Sequence, residues 1–206
     1  MLLNLFGHFI DVLSRRVVAL LLLSFLTACS QQIARQTCVP LTSEAQYCLN
    51  PTSSVLTDAQ HQDINLTQMV NFTRGQDSHE LLTQLDVNSQ RMTLVGLAPL
   101  GQALFTLVYD GQTLQSEQSL LLGEQFKAEY LMAIMQLIYW PTEQVNQQLS
   151  GGNLITISCD MALCKQLVDD NGASITLTYN NIDPWLAQVN VDIDAADIHL
   201  QINPIE

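Results

Sequence analysis

Apolar and polar residues alternate along most of the chain after residue 64. Val189, Val191 and Ile193 interleave with Asn190, Asp192 and Asp194; after a short turn, Ile198, Leu200 and Ile202 interleave with His199, Gln201 and Asn203. A period of two with one polar face predicts half-buried antiparallel strands. Ile175, Leu177 and Tyr179 repeat the pattern against Thr176 and Thr178. Residues 91–97 and 103–109 are apolar on both faces, which predicts strands covered on both sides. Asp110-Gly111 and Asn171-Gly172 stand where hairpins need a turn. One segment breaks the alternation. Within 124–139, Phe126, Tyr130, Ile134, Leu137 and Ile138 fall at helical spacing, and Met132, Ala133 and Met135 widen the stripe. Pro141 ends it. No charge lies between Tyr130 and Trp140, so this helix must be covered on most sides or line a dry cavity. Hairpins, a helical insertion and further hairpins predict an α+β fold: a curved antiparallel sheet with a helical lid.

The first thirty residues follow a different rule. Ser14-Arg15-Arg16 precedes an apolar run, Val17 to Leu26, broken only by Ser24 and followed by Thr27-Ala28-Cys29. A positive flank, a short apolar core and small residues describe a secretory signal peptide. The run is too short for a bilayer core, which needs about 20 residues. The ending Leu26-Thr27-Ala28-Cys29 resembles the bacterial lipobox. That resemblance implies cleavage before Cys29, a diacylglycerol on its thiol and a further acyl chain, such as palmitate, on the new amine. Each buried methylene adds about 0.8 kcal/mol, and several chains anchor durably. By resemblance to Gram-negative sorting rules, Ser30 implies the outer membrane, with the protein facing the periplasm. The expected divisions are a signal peptide over 1–28, a lipidated N-terminus and tether over 29–60, rich in Ser, Thr, Gln and Pro, and a folded domain over 61–206.

Charge then removes whole classes of partner. Without residues 1–28 the chain keeps five basic and nineteen acidic residues, a net charge of −14. Such a chain does not track phosphate backbones, which excludes nucleic acid, nor does it dock on anionic lipid headgroups. Any membrane contact beyond the anchor must be apolar. The four cysteines left after Cys29 are an even number in an exported protein, which suggests disulfides. Local pairs, Cys38 with Cys48 and Cys159 with Cys164, are favoured over bridges between the two regions; a zinc site is the rival, with loose spacing and no nearby histidine.

Candidate catalysis is sparse. His61 lies in a polar linker and His199 on the polar face of the last strand. Neither they nor His79 pair with a serine or cysteine in a recognisable motif. Asp192, Asp194 and Asp197 suggest a cation site, but alternating aspartates on a wet strand more often serve solubility. The sequence predicts no enzyme, no cofactor and no metal. More informative is Leu94-Val95-Gly96-Leu97-Ala98-Pro99-Leu100-Gly101-Gln102-Ala103-Leu104-Phe105. Pro99 fixes φ and Gly101 permits a left-handed backbone, which holds Leu100 at the tip of a tight turn.

A strand, a Pro-Leu-Gly turn, a strand and an Asp-Gly hairpin resemble the outer-membrane lipoprotein receptor LolB and its soluble relative LolA. The order of elements matches over about 60–205; close similarity is confined to the neighbourhood of Pro99-Leu100-Gly101. The resemblance implies a half-open barrel capped by helices around an apolar cavity for acyl chains, with Leu100 inserting into membrane or cargo. The ending Leu137-Ile138-Tyr139-Trp140-Pro141 resembles a family of bacterial lipoproteins often encoded beside aryl-polyene biosynthesis enzymes, thought to share that fold. Expected cavity walls are Leu94, Phe105, Leu107 and Tyr109 on the sheet and Tyr130, Ile134, Ile138 and Trp140 on the helix, with Trp185 at a rim and Met132 and Met135 adapting the lining. Ordinary core packing is the simpler role for each. The expected function is binding and transfer of an acyl-chain lipid or lipidated cargo. The alternatives are a structural or assembly lipoprotein with an envelope protein as partner, and an accessory to export of an aryl-polyene-type lipid.

Overall fold

The alternating stretches pair with their sequence neighbours, because tight turns return each strand beside the last. In the computed structural model, which describes residues 33–54, 63–122 and 126–205, the strands in chain order are β1 (Ile33–Arg35), β2 (Cys38–Pro40), β3 (Gln46–Cys48), β4 (Ile64–Arg74), β5 (Asp77–Val87), β6 (Met92–Leu97), β7 (Ala103–Tyr109), β8 (Leu114–Gln118), β9 (Leu149–Ser150), β10 (Asn153–Ile157), β11 (Leu163–Asp169), β12 (Gly172–Tyr179), β13 (Val189–Ile193) and β14 (Ile198–Ile205). The helices are α1 (Ala128–Tyr139) and α2 (Thr142–Gln147). Eleven strands form one antiparallel sheet in the order β1-β8-β7-β6-β5-β4-β14-β13-β12-β11-β10. Its edges β1 and β10 do not meet, so it is not closed into a barrel. β2, β3 and β9 form a second, small sheet. The architecture is therefore α+β. The signal peptide 1–28, Cys29 and His61 lie outside the described residues.

Register fixes one inner face across the large sheet. Ser116, Leu107, Leu94, Leu85 and Leu66 are opposed in one row, and Gln118, Phe105, Gly96, Thr83 and Gln68 in the next. On the other half, Phe72, Leu200, Val191 and Leu177 continue the face to Lys165. Removing such side chains from water stabilises the fold by about 1.5–3 kcal/mol for each fully buried leucine-sized residue. The turns after β4, β6 and β13 lie at one end of the sheet, here the upper end; those after β5, β7 and β12 lie at the lower end.

α1 buries nine of its twelve residues, because it is apolar almost all round and is covered from two sides. One cover is the inner face. The other is the segment carrying Val39, Tyr47 and Leu49, all buried. Its start is Ala128, four residues later than the periodicity suggests; Lys127 has a non-helical backbone, φ −110°, ψ 87°, and no side chain caps the end. Its finish follows from Pro141, which forces Trp140 to φ −77°, ψ 148°. The freed carbonyls are answered by Lys165, whose Nζ donates to Leu137, Ile138 and Trp140 at 3.4, 3.1 and 3.0 Å, and by the Tyr179 hydroxyl, which donates to Ile138 at 2.9 Å.

Two expectations change. Residues 33–54, expected within a tether, are built into the protein: β1 pairs with β8, and β2–β3 pack over α1. The apolar positions Val39, Tyr47 and Leu49, spaced among polar residues, are what bury that segment. β6 and β7 are not covered on both sides either. Met92, Leu94, Leu107 and Tyr109 face inward and are buried, whereas Val95, Leu97 and Val108 on the outer face stay half-exposed, as apolar surface residues commonly do.

Candidate functional site

The turn between β6 and β7 is closed by two backbone bonds, Ala98 N–H to Gln102 O and Gly101 N–H to Ala98 O, both 2.8 Å. Gly101 adopts φ +80°, a value that disfavours a side chain. Pro99 sets the turn's first corner. Leu100 then has nowhere to pack and is 99% exposed. A second leucine shares this end. After β8, Ser119 N–H donates to Leu104 O at 2.7 Å and Leu122 N–H to Ser119 O at 3.1 Å, making one tight helical turn. That turn leaves Leu120 99% exposed while Leu122 packs back against the core. The sequence reading missed Leu120; the signal was there in Leu120-Leu121-Leu122 directly after the polar strand Gln115-Ser116-Glu117-Gln118. Beneath the same end, the inner-face residues Phe72, Leu81, Ile193 and Ile198 are only partly buried. At the lower end Ile182 and Leu186 are exposed as well, to a lesser degree.

The expected cavity walls meet in one core, and most of them are packed out of reach of water. Leu94, Leu107, Ile138 and Trp140 are each 0% exposed, so no water-sized sphere touches them. Phe105, Tyr109, Ile134, Met132 and Met135 are also buried. Tyr130 differs, lying exposed on the side of α1 away from the core. Trp185 sits over the end of α1 rather than on an open rim, stacked 4.5 Å from the Tyr139 ring and 6.1 Å from that of Trp140. The helix sits flush because Phe105 fits over Gly96, where a Cβ would fall 2.3 Å from two of its ring atoms. Phe105 in turn stacks on Phe126 at 5.1 Å.

A polar clasp fixes α1 from its other side. Gln136, within the apolar helix, accepts from the Tyr47 hydroxyl and the Asn50 N–H, both at 2.8 Å, and donates to the Asn50 carbonyl at 2.9 Å. Asn50 also donates to Gln144 O of α2 at 2.6 Å. The Cys38–Cys48 bridge joins β2 to β3 and so staples the clasping segment; Cys159–Cys164 closes the turn from β10 to β11. Burial holds the Lys165 ammonium down to about 8, against an upward pull from Glu143. Burial likewise raises the hydroxyls of Tyr109 and Tyr139 to about 12 and pushes those of Tyr47 and Tyr179 upward.

The remaining titratable candidates lie at the upper end, apart from the clasp. His79 is exposed on β5 and stacks on Phe72 at 6.5 Å. His199 Nδ1 lies 2.6 Å from Asp192 Oδ1 on the exposed face. With Asp194 and Asp197 they border a polar depression of about 200 Å³ at the upper end. Among the described residues no group of three His, Cys, Asp or Glu is arranged to hold a metal, and no helix is long and apolar enough to cross a membrane.

Comparison with known families finds one model matching residues 65–206, described as "Protein of unknown function (DUF3261)". The match begins on β4 and takes in the Leu100 turn, α1 and both halves of the inner face, but not β1–β3. No curated protein matches the chain.

Proposed function

The chain belongs to the DUF3261 family, and from that footing we propose that it is a non-catalytic lipoprotein of the outer membrane that binds an acyl chain and passes it between apolar environments facing the periplasm. The observation that carries this reading is Leu100, held fully exposed on a turn shaped by Pro99 and Gly101, beside an equally exposed Leu120. A folded protein gains nothing by presenting two bare leucines at one end to water. They gain about 1.5–3 kcal/mol each on entering an apolar phase. Together that is marginal attachment, so a durable lipid on Cys29 is needed to keep this end at the membrane. The half-open antiparallel sheet with an inner helix supports the LolA/LolB-like reading of the fold. The acyl chain enters from the upper end, along Phe72, Leu81, Ile193 and Ile198, because α1 is clasped too firmly by Gln136 and Lys165 to act as a hinged lid.

The closed packing of Leu94, Leu107, Ile138 and Trp140 favours a second reading, an envelope assembly protein with a solid core and a protein partner at the leucine end. Native mass spectrometry of the chain released gently from its membrane separates the two. Carriage of an acyl lipid in near-stoichiometric amount supports the first. A bare mass that gains nothing from added phospholipid overturns it.

A further inference from the structure

Two polar side chains on the inner face are left unanswered by the fold. Gln68 on β4 and Thr83 on β5 are directly opposed and almost fully buried. One end of the Gln68 amide bonds to the Tyr139 hydroxyl of α1; its Oε1 makes no hydrogen bond, and neither does the Thr83 Oγ1. A buried polar group without a partner forfeits the hydrogen bonds it made to water in the unfolded chain, and native proteins keep few of them. Valine and leucine would serve packing better at both positions. The pair lies one row below Val70 and Leu81, where the inner face begins to open toward the upper end.

We propose that Gln68 and Thr83 receive the neutral carbonyl of an ester- or amide-linked acyl chain, and so form the polar end of the acyl site put forward above, on which this inference rests. Thr83 donates from its hydroxyl. Gln68 donates from its amide nitrogen, because the Tyr139 hydroxyl can accept from the amide nitrogen or donate to the amide oxygen, leaving either end free. A carboxylate is disfavoured there, since it would be a buried charge without a counter-ion. Of the inner-face cations, Arg35 is committed to Ser116, Gln118 and Glu129 and Lys165 to the helix carbonyls, while Arg74 stands three inner-face positions farther up β4, exposed at the upper end.

The test uses the full chain in dodecyl maltoside, photolabelled with a diazirine-bearing methyl palmitate and with a diazirine alkane of the same length. The wild type should label at least tenfold more strongly with the ester. Thr83→Val should lower ester labelling at least fivefold while alkane labelling stays and the melting temperature holds or rises. Gln68→Leu combined with Tyr139→Phe, which leaves no new unpaired hydroxyl, should do the same. Equal labelling by both probes in the wild type, an ester preference retained in the variants, or a melting temperature lowered by Thr83→Val would overturn the carbonyl site while leaving acyl binding intact. Labelling of the wild type by neither probe would overturn acyl binding itself, and the carbonyl site with it.

Discussion

Replacing Gln136 with methionine makes α1 more uniformly apolar, yet it should weaken the protein severely. Gln136 Oε1 accepts from the Tyr47 hydroxyl and the Asn50 N–H, and its Nε2 donates to the Asn50 carbonyl. Gln136 and Tyr47 are fully buried and Asn50 nearly so, so water cannot take over these bonds. The substitution leaves two donors and one acceptor unsatisfied, at about 1–3 kcal/mol each, or about 3–9 kcal/mol together. Extra apolar burial by methionine offsets about 1 kcal/mol of that. The net loss of roughly 2–8 kcal/mol compares with a typical total of about 5–15 kcal/mol. Urea unfolding followed by the fluorescence of Trp140 and Trp185 measures it directly, with the midpoint falling and the slope unchanged. Adding Tyr47→Phe to Gln136→Met should cost less than Tyr47→Phe alone, because the hydroxyl has already lost its acceptor. A midpoint unchanged or raised by Gln136→Met would refute the clasp and free α1 to move as a lid.

Three further outcomes follow from the packing. Gly96→Ala should destabilise by about 1–3 kcal/mol, read by the same unfolding curve, since the added methyl meets the Phe105 ring at 2.3 Å; Phe105→Leu in the same chain should recover part of the loss. Alkylation and mass spectrometry before and after reduction should find two local bridges, and Cys38→Ser with Cys48→Ser should lower stability by about 2–3 kcal/mol for a loop of this length. For pH, the folded Lys165 lies at about 8 against its ordinary 10.5, so between those values the unfolded chain holds more protons and stability rises with pH. Above pH 10 the buried tyrosines keep protons that the unfolded chain releases, and stability falls. The melting temperature should therefore peak near pH 10, and Lys165→Met should flatten the rise between 8 and 10.

Much of the sheet was legible because its signal is local. The period-two runs at 175–179, 189–193 and 198–202, the Asp110-Gly111 and Asn171-Gly172 turns and the Pro-Leu-Gly tip all depend on neighbours in sequence. What was hidden depends on distant partners. Nothing near Gln136 foretells its partner Asn50, 86 residues away. The Ser- and Thr-rich composition of 33–54 concealed three apolar residues that only α1 makes into a core. Whether an apolar helix stands off a sheet or seats on it turns on shape, such as Phe105 over Gly96, and composition carries no shape. The same limit applied at the leucine end: Leu100 was marked by turn chemistry, whereas Leu120 depended on a single helical turn anchored to Leu104.

The movement of a fluorescent phospholipid between donor and acceptor vesicles, catalysed by the wild type and by Leu100→Glu, bears most directly on the function. Leu100 touches nothing in the fold, so the variant's stability should stay within about 0.5 kcal/mol, and any change in rate belongs to the contact itself. Transfer should be at least tenfold slower for Leu100→Glu, with a further fall when Leu120→Glu is added. Equal transfer by wild type and variant, or no transfer by either, would contradict the proposed function.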